Sequence, residues 1–462
     1  VITNNYISIG LWSTALNNTI CKNLISNCTA GGVGLYLDYS TENTISDNII
    51  INGHSGIRLY WSGSNTLTNN SIIENLYNFG VYGESLSDFI QNIDTWNTIN
   101  GKPIYYLVNQ HSQTVLSEAG YVAIINSTNM TVKNLNLENN VHGVLFVYVT
   151  NSTIMNVNAS NNDDGILLWN SNGNIINGNT VTDNDWSGIS LYHSGDNMIT
   201  GNIGIENKFV GIEIDEAHNN VIDGNTLIKN LLGIMVYYSD NNIICNNTVT
   251  GSTQEGLVGI SLTESQSNVL SGNTISDNRF WIGSGIYIEW YSNNNTIIQN
   301  ILENNHCAIN IGDITTGHCN NNTVYHNNFI SNGRHVISLD SINSWDNDYP
   351  SGGNYWGDHP GNDTYTGPYQ NMTGSDGLKD TPYDIDERNK DRYPLIRIWT
   401  LPIPGDLNKD CVVDMRDIAL VAGGFGAHPG HPRWNLISDL NQDQIIDLRD
   451  IALVARHFGE TC

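Results

Sequence analysis

The sequence predicts an all-β chain wound as a right-handed parallel β-helix, followed by a small α-helical domain at the C-terminus. Two observations lead there. A glycine followed by alternating apolar residues returns seven times, at Gly143, Gly165, Gly188, Gly211, Gly233, Gly259 and Gly285, in steps of 22, 23, 23, 22, 26 and 26 residues. A period in that range, built from β-branched residues and Asn/Gly turns, belongs to a solenoid whose coils are short strands. The second observation is a pair of acidic segments, 406–417 and 439–450, each running into the same Asp-Ile-Ala-Leu-Val-Ala. Oxygen-bearing side chains at fixed offsets ahead of an apolar helix are the pattern of a cation-binding loop.

In chain order, the β-helix is expected over 1–344. The first and third residues after each glycine are apolar (Ile57/Leu59, Val144/Phe146, Ile166/Leu168, Ile189/Leu191 and so on), so they point inward and the second and fourth point out. Half a coil later an Asn precedes apolar residues, at Asn18, Asn43, Asn65, Asn151, Asn174, Asn197, Asn220, Asn242, Asn268, Asn295 and Asn322. Asn tolerates left-handed backbone, and identical amides stacked coil on coil bond as ladders, so these positions are structural. About a dozen coils at about 4.8 Å each make a rod about 60 Å long. The repeat is interrupted at about 86–125, the segment 345–399 closes the helix, 400–404 is a linker, and 405–462 is the second domain. The first coil, Val1 to Trp12, lacks a covering element, so an upstream cap or another copy of the chain, building a filament, is expected to complete it.

A formal charge of −28 with 18 Lys plus Arg argues against a nucleic-acid partner or an anionic membrane. No apolar run is long enough to be a transmembrane segment. Seven cysteines point to an oxidising compartment, with Cys307–Cys319 and Cys411–Cys462 as candidate bridges and Cys21 and Cys245 as candidate buried thiols.

The Asn-Thr-Ile and Gly-Ile repeats, the interruption from Asn100-Gly101-Lys102-Pro103 to Asn109, the run Asn129 to Leu137, and the segment Trp345 to Trp356 with Asp391-Arg392-Tyr393-Pro394 resemble the NosD-like (CASH-type) β-helix proteins of archaeal cell surfaces. The resemblance covers residues 1 to about 399. It implies the fold and an extracellular or cell-surface location, while relatives of this shape serve as hydrolases, lyases, adhesins or stalks. The candidates for catalysis are Asp163, Asp164, Asp185 and His142, which gather at one turn on neighbouring coils. Paired carboxylates there would suit acid and base roles in glycoside hydrolysis. The histidines are scattered and Met is sparse, which does not suit a soft-metal site. Outward positions Leu145, Val147, Leu167, Trp169, Tyr192 and Tyr237 form an apolar patch, expected to contact a partner or polysaccharide unless the interruption covers it.

The two acidic segments place oxygen ligands at loop positions 1, 3, 5, 9 and 12 with a carbonyl at 7: Asp406, Asn408, Asp410, Val412, Asp414 and Asp417, then Asp439, Asn441, Asp443, Ile445, Asp447 and Asp450. That spacing wraps oxygens around Ca²⁺, giving two EF-hand-type calcium loops and two ions. Cys411 and Gln444 replace the usual glycine at position 6, so the turn there is expected to be strained. The pair resembles a type I dockerin, which implies a cohesin-like partner contacted through positions 10 and 11, here Met415, Arg416, Leu448 and Arg449. The expected function is a secreted or cell-surface structural or adhesion rod with a calcium-dependent connector. The alternative is a scaffold-tethered polysaccharide hydrolase or lyase.

Overall fold

The computed structural model describes residues 1–115, 118–251, 258–280, 283–312, 318–400, 405–408, 412–441 and 443–460. The chain divides into two compact units, Val1–Arg397 and Ile398–Cys462.

Each coil of the first unit carries a long strand and two short ones, as in His142–Val147, Thr153–Met155 and Asn158–Ser160. Each strand pairs in parallel with its equivalent one coil on: His142 with Asp164, Thr153 with Ile175 and Asn158 with Thr180. The result is a three-faced parallel solenoid whose long-strand sheet points Val144, Phe146, Ile166 and Leu168 into a continuous apolar core.

Asparagines run down the corners as hydrogen-bonded ladders. Asn202 donates its main-chain N–H and its Nδ2 to Asn225 Oδ1, both at 2.9 Å, and Asn225 does the same to Asn247. Two asparagine functions that the sequence merges fall on adjacent residues. Asn219, Asn241, Asn294 and Asn321 take positive φ, while the buried ladder members are the next residues, Asn220, Asn242, Asn295 and Asn322. Asn151 is therefore no ladder residue: it sits exposed with φ of 51°, and Ser152 holds that rung, accepting from Met130 N and donating its own N–H to Asn174 Oδ1. Two ladders end in the closing segment, where Asn343 N donates to Asn389 Oδ1 and Asn354 N to Asp391 Oδ2. Trp356 lies over Phe329 at 4.2 Å and under Tyr383 at 4.0 Å between ring centroids, which shields the last coil.

The interruption reverses the winding. Thr98–Ile99 and Lys102–Val108 are antiparallel, joined through Asn100 and Gly101 with φ of 48° and 79°. Asn-Gly with both residues at positive φ is the favoured two-residue hairpin turn. Sheet order nevertheless continues in one direction, from the short strands of the N-terminal coils through Lys102–Val108 and Tyr121–Ile125 to His142–Val147. When strand direction flips and stacking direction does not, coils of one hand must place their core on the opposite side of the shared sheet. Residues alternate accordingly. Tyr105, Leu107, Val122, Ile124, Val144 and Phe146 serve the main core, while Ile104, Tyr106, Tyr121, Ala123, Leu145 and Val147 serve a second core filled by Ile57, Leu59, Phe79 and Val81 of the N-terminal solenoid. Four long strands precede the reversal and eleven follow it among the described residues.

This corrects the expected contact surface. Leu145, Val147 and Leu167 are buried in the second core, and Trp169 and Tyr192 pack half-buried against it. The cover is the N-terminal solenoid itself; Tyr237, farther along, is half-buried beside Tyr238. The cysteine expectations change too. Cys307 and Cys319 are separate buried thiols, Cys21 is exposed and Cys245 half-buried, its thiol 3.4 Å from Asp223 Oδ1. Cys411, Cys462 and linker residues 401–404 lie outside the described residues.

The second unit holds two short helices, Met415–Gly423 and Leu448–Arg456. Each begins in a reciprocal capping box, Asp414 with Asp417 and Asp447 with Asp450, in which the first carboxylate takes N–H groups of the opening turn and the second reaches back to the cap residue. Val413, Val421, Ala427, Ile446 and Val454 form its core.

Candidate functional site

The seam between the two solenoids gathers the ionisable side chains. Arg58 leaves the N-terminal long strand Ser55–Tyr60 and is buried, donating to Tyr82 Oη at 2.8 Å and Ser55 Oγ at 3.1 Å while its guanidinium lies 5.2 Å from the Tyr77 ring centre and 5.8 Å from that of Tyr82. Tyr82 Oη donates to Asp163 Oδ2 at 3.3 Å. The Tyr77 hydroxyl and Lys208 Nζ both bond the Asp185 carboxylate. Asn78 donates both its N–H and its Nδ2 to Asn139 O, at 2.6 and 2.8 Å. His142 is closed off beside Tyr82, ring centroids 5.4 Å apart, and its Nδ1 has no hydrogen-bond partner. Burial, reinforced by the Arg58 charge, lowers its pKa to about 3, so the imidazole is neutral.

One layer deeper, Asp164 and Glu213 share a serine. Ser190 Oγ is 3.3 Å from Asp164 Oδ1 and 3.4 Å from Glu213 Oε2, which also takes the Ser187 hydroxyl at 2.8 Å. Burial holds the Asp164 carboxyl well above the usual range, with Asp163 and Glu213 adding repulsion; burial raises Glu213 too, opposed by bonds from Ser187 and Tyr192. The geometry puts the two carboxylates at most about 7 Å apart, a separation glycosidases use, but a hydroxyl of the protein fills the gap where a glycosidic oxygen would have to enter. The expected catalytic residues thus do come together, as a polar seam with Arg58 and Glu213, which the sequence did not single out. Their signal was present: each is a charged residue in an outward column of a repeat whose other outward members include Leu145, Leu167 and Met235.

In the second unit the donor sets are all oxygen. Asp450 is buried, accepting from Leu440 N, Asn441 N and Asp447 N; Asp439 accepts from Asp443 N and Gln444 N. Gln444 carries the expected strain with φ of 68°. Asp443 and Asp447 converge on one cationic group, the Arg449 guanidinium, at 2.9 and 3.0 Å, and Arg416 pairs with Asp414 at 2.8 Å. Carboxylate and amide oxygens are hard donors of the kind Ca²⁺ takes, so the chemistry of the donor set suits that ion. Asp410 lies outside the described residues, and the described ones form no group of three or more His, Cys, Asp or Glu that could hold a metal. Met415 and Leu448 are 65% and 70% exposed beside these arginines.

The fold and its repeat define a parallel β-solenoid protein of the β-helix class. The chain belongs to the family described as periplasmic copper-binding protein (NosD), whose model matches residues 1–106, 89–235 and 203–361. No curated protein matches it. Among solved structures it is similar to the A-module of the Azotobacter vinelandii mannuronan C-5 epimerase AlgE6, at 14% identity over 71% of this chain and 90% of that one, TM-score 0.43. It is also similar to the periplasmic alginate epimerase AlgG (17%; 70% and 74%; 0.39) and to PfbA, a surface adhesin of Streptococcus pneumoniae (14%; 68% and 77%; 0.36). No activity passes from them to this chain. No described helix is long and apolar enough to cross a membrane.

Proposed function

We propose that the protein is a structural and adhesive rod at the cell surface or outside the cell, with a dockerin-like C-terminal connector that needs calcium. The observation that carries this reading is the use made of the acidic turn. Asp163 and Asp185 bond Tyr82 and Tyr77 across the seam and so bind the two solenoids together, while Asp164 and Glu213 are bridged by Ser190 within the main solenoid, so the carboxylates are used in holding the fold instead of lining a cleft. In the connector, Asp406, Asn408, Asp410, Asp414 and Asp417, with the Val412 carbonyl, would hold one ion, and Asp439, Asn441, Asp443, Asp447 and Asp450, with the Ile445 carbonyl, the other. Bound Ca²⁺ supplies the charge that keeps those carboxylates together. The exposed Met415, Arg416, Leu448 and Arg449 would then face a cohesin-like domain or another copy of the chain.

Titration calorimetry and a pull-down on the full chain test this. Two Ca²⁺ ions taken up, and retention on a cohesin bait or on immobilised chain that EDTA abolishes, are the expected results. Absence of Ca²⁺ uptake, or polysaccharide turnover that disappears in Asp164→Asn, would overturn the reading.

A further inference from the structure

We infer that the closing segment of the first unit carries a binding site for a single acidic sugar, whose carboxylate is held by Arg388, Lys390 and Arg392 and whose hydroxyls are met by Asn321 and Ser344. The site lies wholly within residues 321–392, apart from the seam and from the connector, and goes beyond the rod-and-connector reading without depending on it.

The cavity follows from the way the solenoid is closed. Residues 388–392 alternate in burial: Asn389 and Asp391 are buried, whereas Arg388, Lys390 and Arg392 are exposed. The inward pair has a structural role. Asn389 Oδ1 accepts Asn343 N at 2.9 Å and Trp345 Nε1 at 3.3 Å, and Asp391 Oδ2 accepts Asn354 N at 2.7 Å and Trp356 Nε1 at 2.8 Å. Neighbours in an extended chain point to opposite sides, so holding 389 and 391 inward sets all three cations on one outward side. Together with Asn321, Ile342 and Ser344 they line a cavity of about 390 Å³.

Charge marks the occupant. The chain has a formal charge of −28 and 18 Lys plus Arg, yet three of those cations line this one cavity, and among its described lining residues Asp346 is the single carboxylate against them. Asp346 is buried and fixes Arg392: its Oδ2 accepts the Arg392 N–H at 2.9 Å and Nε at 3.0 Å, and its Oδ1 accepts Nη2. The remaining carboxylate partners stand outside the lining, Asp340 at 2.9 Å from Arg388 Nη2, Asp384 at 3.4 Å from Lys390 Nζ, and Asp348 beside Arg392 Nη2. Nε and Nη1 of Arg388 and Nη1 of Arg392 are left without a protein acceptor among the described residues. Planar guanidinium N–H groups suit the paired oxygens of a carboxylate. The cavity has the volume of a site for a small organic ligand, larger than a carboxylate alone requires. The rest of its lining suits a sugar ring: Asn321 and Ser344 offer an exposed amide and hydroxyl, and Ile342, 53% exposed, offers an apolar surface to ring C–H groups. The field of the whole chain repels a polyuronate, which restricts the ligand to one acidic unit.

The test is titration calorimetry of the full chain at low salt with methyl glucuronide, methyl glucoside, acetate and alginate, repeated on Arg388→Gln/Lys390→Gln. That pair is chosen because the partners it leaves behind, Asp340 and Asp384, are exposed and lose little when unpaired. Methyl glucuronide is expected to bind about tenfold or more tightly than either the glucoside or acetate, and to lose about tenfold or more in the double variant at unchanged melting temperature. The inference is overturned if methyl glucuronide does not bind, if the double variant retains its binding in full, or if the glucoside binds as well. Acetate binding as tightly as the glucuronide would reduce the site to one for a bare anion, and tighter binding of alginate per uronate would refute the single-unit ligand. Ca²⁺ uptake, measured on the same protein, reports on the connector alone.

Discussion

Replacing Asn225 by Ala should cost the solenoid about 3 to 5 kcal/mol, far more than its size suggests. The side chain is buried and bonds both neighbouring coils. Its Oδ1 accepts Asn202 N and Asn202 Nδ2 at 2.9 Å, and its Nδ2 donates to Ile199 O and Asn247 Oδ1 at 2.9 Å. Truncation strands two buried N–H donors of Asn202, each worth about 1 to 3 kcal/mol when left unmade, and removes a donor from two acceptors. Asn219→Ala is the control: that residue is exposed with φ of 59°, so only the left-handed penalty of about 1 to 2 kcal/mol applies. Asn225→Asp separates shape from hydrogen bonding, since a carboxylate oxygen would face Ile199 O and Asn247 Oδ1. Burial and the two acceptors against its second oxygen raise the folded pKa of that Asp above its unfolded value of about 3.9, against the two donors of Asn202 that stay on its first oxygen, so the pH-dependent part of its penalty is absent below about 3.9 and grows as pH rises through the folded pKa. Guanidinium unfolding followed by circular dichroism at pH 4.5 and 7.5 reads both effects. If Asn225→Ala costs no more than Asn219→Ala, the ladders do not hold the coils together.

Four further outcomes follow. The first unit should melt higher at pH 5 than at pH 8: Asp391, raised to about 7 by burial, binds a proton in the folded state that the unfolded chain releases near 3.9, so its contribution is present below 3.9 and lost as pH rises through 7. Asp164 and Glu213 act in the same direction, and Asp391→Asn should shrink the difference seen by calorimetry. Arg58→Met should cost about 2 to 4 kcal/mol through its two charge-assisted bonds, read by denaturant titration, and expose the N-terminal solenoid to proteolysis. Gly80→Leu should open the same seam, because a Cβ there meets the Val141 side chain; an unchanged proteolysis pattern would contradict this. EDTA should lower the melting temperature of residues 405–462 while leaving that of the first unit unchanged, two transitions that differential scanning calorimetry resolves.

The repeating glycines and the period-two apolar columns made the solenoid legible, because each coil buries the same positions, and Ile166, Ile189 and Ile212 occupy them as expected. The duplicated Asp-Ile-Ala-Leu-Val-Ala likewise marked the two helices. The reversal was harder to see. Asn100-Gly101 is a local hairpin signal, but its consequence, a core on the other face of the shared sheet, arises only when strand direction and stacking direction are considered together. Leu145 and Leu167 showed as outward apolar residues, whereas their cover, including Phe79 and Val81, lies more than sixty residues away. Arg58 and Glu213 escaped notice for the same reason, since Tyr77 and Tyr82 lie one coil from Arg58, and Ser187 and Ser190 one coil from Glu213. Asn151 misled because the ladder and the left-handed corner use the same residue type one position apart.

The polar seam answers a difficulty that repetition creates. Coils of one solenoid present nearly the same apolar surface at intervals of about 4.8 Å, so beyond the sheet that the two solenoids share through Thr98–Ile99 and Lys102–Val108, hydrophobic contact alone fixes their setting only weakly. Apolar burial is without direction, and register must come from groups that bond at one setting only. Asn78 to Asn139, Val141 N to Phe79 O, Tyr82 to Asp163 and Tyr77 to Asp185 are such groups, each joining a particular N-terminal residue to a particular coil of the main solenoid. Arg58 adds a buried cation that only a coil carrying carboxylates can accommodate, and Asp163, Asp164 and Asp185 stand on the first two coils that could do so. The acidic turn therefore stands on the two coils that directly follow the Asn78–Asn139 and Val141–Phe79 contacts, where it extends the fixed setting along the seam. Asp163→Asn with Asp185→Asn should accordingly leave the melting temperature within a few degrees but broaden the distribution of distances between spin labels at Thr66 and Asp183, because the apolar contact persists while its register relaxes.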